Sequence, residues 1–439
     1  MRNALLITTA FYPYPHVGSV RITNWARLLP GLGWAPTVIC RDFGHRAHRA
    51  LLDEAVHPSA KVFHIRARGP AVETPDEPVP PPDVEARRRS RLRRLLEPIA
   101  ESVLLPDAQI VSWRRALPEV ERIARELRPD LVITTSPPLS AHRAGAVLRR
   151  RLGVPWIADY RDPYQLDARF MPKGPIGRLL APAALAADRA VYAEADQITH
   201  AIPLHERWAR LAYPEARDRC CTIRHPVPAD LAEGRIAPIG PERPGRRSIR
   251  LVGTVEEPAP LLVAQAVRLL VDRSENPLDL ELRFVGRTPP GADEMRRLLG
   301  DRLVLTGPVR HDVAKAQIAG ADVLVNALSP ERSRQVLVSS KLFEFAAARR
   351  PIVALRATVP DRQLFRQLAD AAVVVKDPQP RSVAAALERA LSPEAAAAAR
   401  SGPSADRFLA RWGEAAHTEH LRAAIDRAIR VHAARTGRG

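Results

Sequence analysis

The run Val338–Ala354, VSSKLFEFAAARRPIVA, concentrates groups that could hold a nucleotide. Leu342, Phe345 and Ala346 fall at helical spacing, and Arg349-Arg350-Pro351 closes the helix before a short apolar strand. Ser339 and Ser340 stand at the helix start, where free backbone N–H groups and the dipole favour an anion. Lys341 follows in the first turn and Glu344 one turn in. A cation at the mouth with a carboxylate one turn deeper suits a nucleotide diphosphate: lysine and amides against the phosphates, carboxylate toward the ribose hydroxyls. An ordinary amphipathic helix with a solvated Lys–Glu pair has the same pattern.

Other reactive groups gather where apolar runs end. Thr134-Thr135-Ser136 closes one run, with His142 soon after, and Asp159-Tyr160-Arg161-Asp162 closes the next. Asp159 or Asp162 could orient a sugar hydroxyl or act as a base, and Arg161 could grip a phosphate with two N–H groups. The alternative is a structural ion-pair knot of Asp159, Arg161 and Asp162 that shapes the loop. His142 reads more readily as a packed or surface histidine than as a base. After the first run, Gly18 permits close approach of an anion, Ser19 can cap a helix and Arg21 can face the same anion. In the second half Gly253, Gly286 and Gly307 each follow an apolar run, and Arg310-His311 follows the last, where backbone groups could read a nucleobase. No GxGxxG, HExxH, GxSxG, Walker loop or Cys/His cluster occurs. No metal and no cofactor is therefore expected.

Positioning these groups requires alternating strands and helices. The first half offers strands at Ala4–Thr9, Thr37–Cys40, Lys61–Arg66, Leu131–Thr135, Pro155–Ala158, Gln197–His200 and Cys221–Arg224, with helical patterns such as Arg21–Leu32 between them. The second offers Ile249–Val252, Leu280–Val285, Leu303–Leu305, Val323–Asn326, Ile352–Leu355 and Ala372–Val375. The fold class expected is α/β, two doubly wound parallel sheets. Expected boundaries are a first domain over 1–230, a linker over 231–247, a second domain over 248–412 and a C-terminal helix over 413–439. Ligands in such sheets lie beyond the carboxyl ends of the strands, which makes the cleft between the domains the default site.

Composition narrows the classes. The chain has 439 residues, enough for two domains, and 46% of them are hydrophobic. The net charge of +18 comes almost wholly from arginine, since lysine occurs only at 61, 173, 315, 341 and 376. That skew reads as codon preference. Nucleic-acid binding lacks any recognised motif or aromatic platform and is not expected. Cys40, Cys220 and Cys221 fit a reducing cytoplasm and no zinc site. No signal-peptide pattern and no run of about eighteen apolar residues occurs, so no membrane span is expected.

Taken in order, Phe11–Trp34 (FYPYPHVGSVRITNWARLLPGLGW), Pro106–Trp113, Thr134–Tyr164 (TTSPPLSAH with WIADYRDPY) and Ser340–Ala354 (SKLFEFAAARRPIVA) resemble retaining glycosyltransferases of the GT-B fold, family 4 (group 1) type. The resemblance implies a nucleotide-sugar donor held mainly by the C-terminal domain. A polysaccharide, lipid-linked or natural-product acceptor would sit on the N-terminal side. It places Glu344 at the second glutamate of a Glu-x7-Glu motif that holds the ribose, Lys341 and Gly18 on the phosphate side, and Asp159–Asp162 where the family's usual catalytic histidine lies. The catalytic candidates are thus Asp159, Arg161 and Asp162. The donor-binding candidates are Gly18, Arg21, Gly253, Arg310, Ser339, Ser340, Lys341 and Glu344.

Three positions depart from the family pattern. The first glutamate of the motif is Val336, the Arg and Lys expected after the first strand of the second domain are replaced by Gly253-Thr254-Val255-Glu256-Glu257, and the Asn-Gly pair at the end of the first domain reads His225-Pro226. A degenerate non-catalytic partner protein and a nucleotide-sugar epimerase of the same fold are the alternatives. The basic run Arg87–Arg94 leads into an apolar helical pattern, which suits peripheral contact with an anionic membrane or, alternatively, a solvated helix.

Overall fold

The computed structural model describes residues 1–12, 17–41, 60–65, 72–73, 107, 109–164, 174–255, 258–272, 278–335, 338–368 and 371–437. The chain forms two compact units, Met1–Arg224 with Thr418–Gly439, and His225–His417.

The first unit carries strands β1 (Arg2–Ile7), β2 (Trp34–Arg41), β3 (Lys61–Ile65), β4 (Val72–Glu73), β5 (Leu131–Ser136), β6 (Trp156–Tyr160), β7 (Gln197–His200) and β8 (Cys220–Thr222). They are ordered β4-β3-β2-β1-β5-β6-β7-β8. All pair in parallel except β4, which runs antiparallel to β3. Parallel strands need crossovers, and crossover helices cover both faces, so the central strands read as continuous apolar runs instead of alternating ones. Every residue of β5 and β6 is buried. One face packs on Trp113, Val120 and Ile123 of the helix Ile110–Leu127. The other packs on Ile22, Trp25 and Ala26 of the helix Val17–Leu28. The last helix, Glu414–Thr436, adds Leu421, Ala424, Ile425 and Ala428 to this second layer. Their i, i+3, i+4, i+7 spacing makes one stripe.

The second unit carries β9 (Arg247–Val252), β10 (Leu280–Val285), β11 (Leu303–Leu305), β12 (Val323–Ala327), β13 (Ile352–Leu355) and β14 (Ala372–Val375). The order is β11-β10-β9-β12-β13-β14, and every pairing is parallel. That is the doubly wound order in which successive crossovers reverse direction between β9 and β12, opening a crevice at the carboxyl ends of those two strands.

Both units thus have the α/β doubly wound architecture expected from the alternation. Details moved. β1 spans Arg2–Ile7, not Ala4–Thr9, although Thr8 N–H still donates to Ile39 at 3.0 Å. The first helix starts at Val17 and gives way to a 3-10 turn at Leu29–Leu32. The Pro- and Gly-rich stretch after Pro226 contains a short helix, Ala229–Ala232, anchored by buried Leu231. The basic run Arg87–Arg94, Val336 and the Glu256-Glu257 pair lie outside the described residues.

Two buried carboxyls set a pH dependence. Burial pushes Asp188 up to about 6 despite hydrogen bonds from the Tyr213 and Tyr160 hydroxyls at 2.7 and 2.8 Å. Burial likewise pushes Asp361 up to about 6. A carboxyl whose native pKa lies above its unfolded value of about 3.9 keeps its proton longer when folded, so its contribution falls as pH rises from about 4 through 6. Asp361→Asn is therefore expected to gain stability relative to wild type as pH rises from 4 to 7. Urea midpoints of the two proteins at several pH values check this, and a difference independent of pH would contradict it.

Candidate functional site

The described groups suited to a nucleotide gather at the carboxyl ends of the second sheet, around the crevice between β9 and β12. Gly253 directly follows β9 with φ +87, a conformation glycine adopts without penalty. Lys341, at the first position of the helix Lys341–Ala347, lies over it: a methyl group on Gly253 would come within 2.7 Å of Nζ. The amine also points to the Thr254 carbonyl, 3.5 Å away. Gly286, after β10, stacks behind Gly253 so closely that a Cβ there would be 3.0 Å from the Gly253 carbonyl oxygen. The two glycines thin the wall and let a lysine from a distant segment reach the strand tip.

Gly253→Ala is expected to cost about 1 kcal/mol for the left-handed backbone. It should also push the Lys341 amine aside and weaken diphosphate binding. Denaturant melts and nucleotide titrations of the same variant separate the two effects; unchanged binding would remove Gly253 from the site.

Glu344 faces His311, the first residue of the helix His311–Ala319, with Oε1 3.1 Å from Nε2. The carboxylate is mostly covered, at 18% exposure, whereas the imidazole is 47% exposed. His311 is thus positioned to orient the Glu344 carboxylate while staying open to a ligand. The Arg310 guanidinium meets Asp312 at 3.2 Å in an exposed pair.

The serine pair differs from the sequence expectation. The Ser339 N–H donates to Asp361 Oδ1 at 3.1 Å, and the Ser339 hydroxyl bonds Asn326 Oδ1 at 3.3 Å. Its amide is committed to the protein and is not offered to an anion. Ser340 takes the N-cap position without a side-chain cap bond. The helix it opens has only seven residues, too short to lend much dipole. Asn326 and Asp361 went unremarked in the sequence. Both are buried, and among the described residues Asn326 Nδ2 and Asp361 Oδ2 have no hydrogen-bond partner. The available signal was a lone polar residue within the otherwise apolar strand Val323–Ala327.

In the first unit the structure corrects two assignments. Asp159 and Arg21 are both fully buried and form a bidentate ion pair, with Arg21 Nη2 at 2.8 Å and Nε at 2.9 Å. Asp159 also accepts from the Thr199 and Thr135 hydroxyls at 2.6 and 2.9 Å. Arg21 donates further to the Arg224 carbonyl at 3.1 Å and stacks on Trp25. Burial alone would raise the Asp159 carboxyl, but the Arg21 charge and these hydrogen bonds hold it below its ordinary value. Both charges are spent inside the protein, where they lock the helix Val17–Leu28 to the tips of β5, β6 and β7.

Gly18 is buried in the first turn of that helix. Arg161 donates to the Ser136 carbonyl at 3.1 Å and to that of Pro137, joining the loops after β5 and β6. Asp162, half-buried beside it, keeps the more accessible carboxylate of this loop. His142 is fully buried, 2.6 Å from the Thr134 hydroxyl, and burial lowers its pKa to about 3. A neutral packed histidine fits that position.

Among the described residues no group of three His, Cys, Asp or Glu side chains could hold a metal, and no helix is long and apolar enough to cross a membrane.

Residues 18–224 match the family model of the glycosyl transferase 4-like domain. The whole chain superposes on sucrose-phosphate synthase from Thermosynechococcus elongatus, with TM-score 0.59, 15% identity, and 96% of this chain and 97% of that one covered. HepE from Anabaena, solved with UDP, gives TM-score 0.60 at 13% identity, covering 97% and 100%. A putative UDP-N-acetylglucosamine 2-epimerase from Listeria monocytogenes gives 0.58 at 12%, covering 97% and 96%. Comparison with curated proteins finds no match. The chain has the two-domain GT-B fold. Its residues 18–224 are similar to the glycosyl transferase 4-like domain.

Proposed function

We propose that the protein is a retaining hexosyltransferase that moves a sugar from a nucleotide-diphosphate sugar to a polysaccharide, lipid-linked or natural-product acceptor. The observation that carries this reading is the pairing of Lys341 over Gly253 with Glu344 beside His311 at the β9/β12 crevice. Lys341 would meet the diphosphate, and Glu344, oriented by His311, would accept from the ribose hydroxyls. Complexes of HepE with UDP and UDP-glucose support uracil as the base to try first.

In the transfer, the bond from the sugar's anomeric carbon to the diphosphate oxygen breaks while the acceptor oxygen bonds to the same face. The acceptor's proton passes to the departing diphosphate. Charge builds on that leaving group, so Lys341 acts where stabilisation matters most. The reading includes a cytoplasmic location and a peripheral contact with anionic lipid through Arg87–Arg94.

The test is a thermal-shift screen against UDP, GDP, ADP, TDP and CDP. One nucleotide should raise Tm selectively, and Glu344→Ala should abolish most of that rise. No shift with any nucleotide would favour a degenerate, non-catalytic protein. The epimerase neighbour in the same fold motivates one control. Conversion of UDP-N-acetylglucosamine to its C2 epimer without any acceptor would replace transfer with epimerisation.

A further inference from the structure

The helix that begins at Lys341 leads at its far end to Arg349, Arg350 and Pro351, at the amino ends of the second sheet's strands and opposite the nucleotide site. A cavity of about 230 Å³ lies there. Its wall contains Arg247, Arg349, Arg350 and Arg400, with Asp322 as the one carboxylate among the described lining residues.

Most polar partners of these arginines are backbone carbonyls. Arg350 donates to the Ala319 carbonyl at 2.6 Å, Arg349 to that of Arg400 at 2.9 Å and Arg247 to that of Leu391. Carbonyls orient a guanidinium but leave its charge in place. Arg349 also meets Asp406 at 2.8 Å, and Arg247 stands 3.8 Å from Asp322. Asp322 in turn accepts the Ser248 N–H at 2.7 Å. Among the described residues Arg350 and Arg400 have no carboxylate within ion-pair distance. Burial pulls the Arg350 pKa down; Asp322 opposes this and Arg400 adds repulsion.

The same end of the sheet holds a second positive surplus. Arg250 and Arg283 are buried side by side and share Gln317 Oε1 at 2.7 and 3.1 Å, with Arg283 paired to Glu281 at 2.9 Å. Among the described residues the Nη2 atoms of both have no hydrogen-bond partner. Burial lowers the Arg250 pKa to about 10, and its charge interacts with both Asp322 and Arg350 in the cavity wall. Guanidinium groups crowded without matching anions are costly, and a planar fork fits phosphate oxygens in pairs.

We propose that this cavity binds a small phosphate-bearing anion, a phosphate monoester or a diphosphate, with Arg350 and Arg400 as its principal ligands. It is a second site, on the far side of the sheet from Lys341, and it does not depend on the transferase reading.

The test is calorimetric titration of the full-length protein with sodium pyrophosphate and with inorganic phosphate, at ionic strength fixed by chloride. Because a diphosphate can also occupy the nucleotide site, the titrations are run in wild type, Lys341→Ala, Arg350→Gln and Arg400→Gln. The expected result is saturable binding that survives Lys341→Ala and weakens about tenfold in each arginine variant, the loss typical of one charged hydrogen bond. Tighter binding of inorganic phosphate points to a monoester, tighter binding of pyrophosphate to a diphosphate. Absence of saturable binding, or binding lost in Lys341→Ala but intact in Arg400→Gln, overturns the proposal. The Arg400 side chain is exposed, so its replacement leaves the fold in place even if Arg350→Gln does not.

Discussion

Asp159→Ala is expected to destabilise the first unit by about 3–5 kcal/mol, because it strands a fully buried Arg21 guanidinium without its anion. The same change leaves the Thr135 and Thr199 hydroxyls without their acceptor. Urea unfolding measures the loss directly. The informative comparison is the double variant Arg21→Met/Asp159→Leu, which removes both charges and restores apolar packing. Buried ion pairs replaced in this way are often neutral or stabilising, so the double variant should recover most of the loss. If Asp159 instead touched the reacting sugar, Asp159→Ala would lower turnover a hundredfold or so with its urea midpoint unchanged. That outcome would reverse the structural assignment made here.

The second large effect falls on Lys341. Lys341→Ala should lower turnover by about 10²–10³, the usual loss when one donor aimed at developing charge is removed. Its affinity for UDP should drop about tenfold while that for uridine stays the same, since the nucleoside carries no phosphate. Turnover within threefold of wild type would show that another cation neutralises the leaving group. The absence of an Arg-Lys pair after β9 makes this a sharp test, for the segment there reads Gly253-Thr254-Val255-Glu256-Glu257.

Ile352–Leu355 is legible to the residue as a strand because burial on both faces demands an uninterrupted apolar run, whereas Leu280–Val285 (LELRFV) is legible from its alternation of apolar residues with Glu281 and Arg283. Cys220–Thr222 was displaced from Cys221–Arg224 because a short edge strand has no such constraint. The run from Ser339 to Glu344 was legible as a helix start, but not the loss of the Ser339 amide to Asp361, a residue 22 positions away. The Asp159 cluster was legible as dense in charge. A structural knot was one of its two readings, with Arg161 and Asp162 as the partners of Asp159. The actual partner, Arg21, lies 138 residues away, beyond the reach of any local spacing argument.

By itself the sequence determined the strand–helix alternation in both halves, and therefore two parallel sheets with their loops at the carboxyl ends. It also determined that Lys341 and Glu344 share the first turns of one helix, since spacing along a helix is local geometry. Only the tertiary structure decided which charges are spent inside the protein. Strand order brought Arg21 to Asp159 and His311 to Glu344, and it set Lys341 over Gly253. A guanidinium facing a carboxylate in the dry interior and one facing a phosphate in water are written with the same letter. The difference is desolvation, which depends on neighbours that the chain supplies from far away.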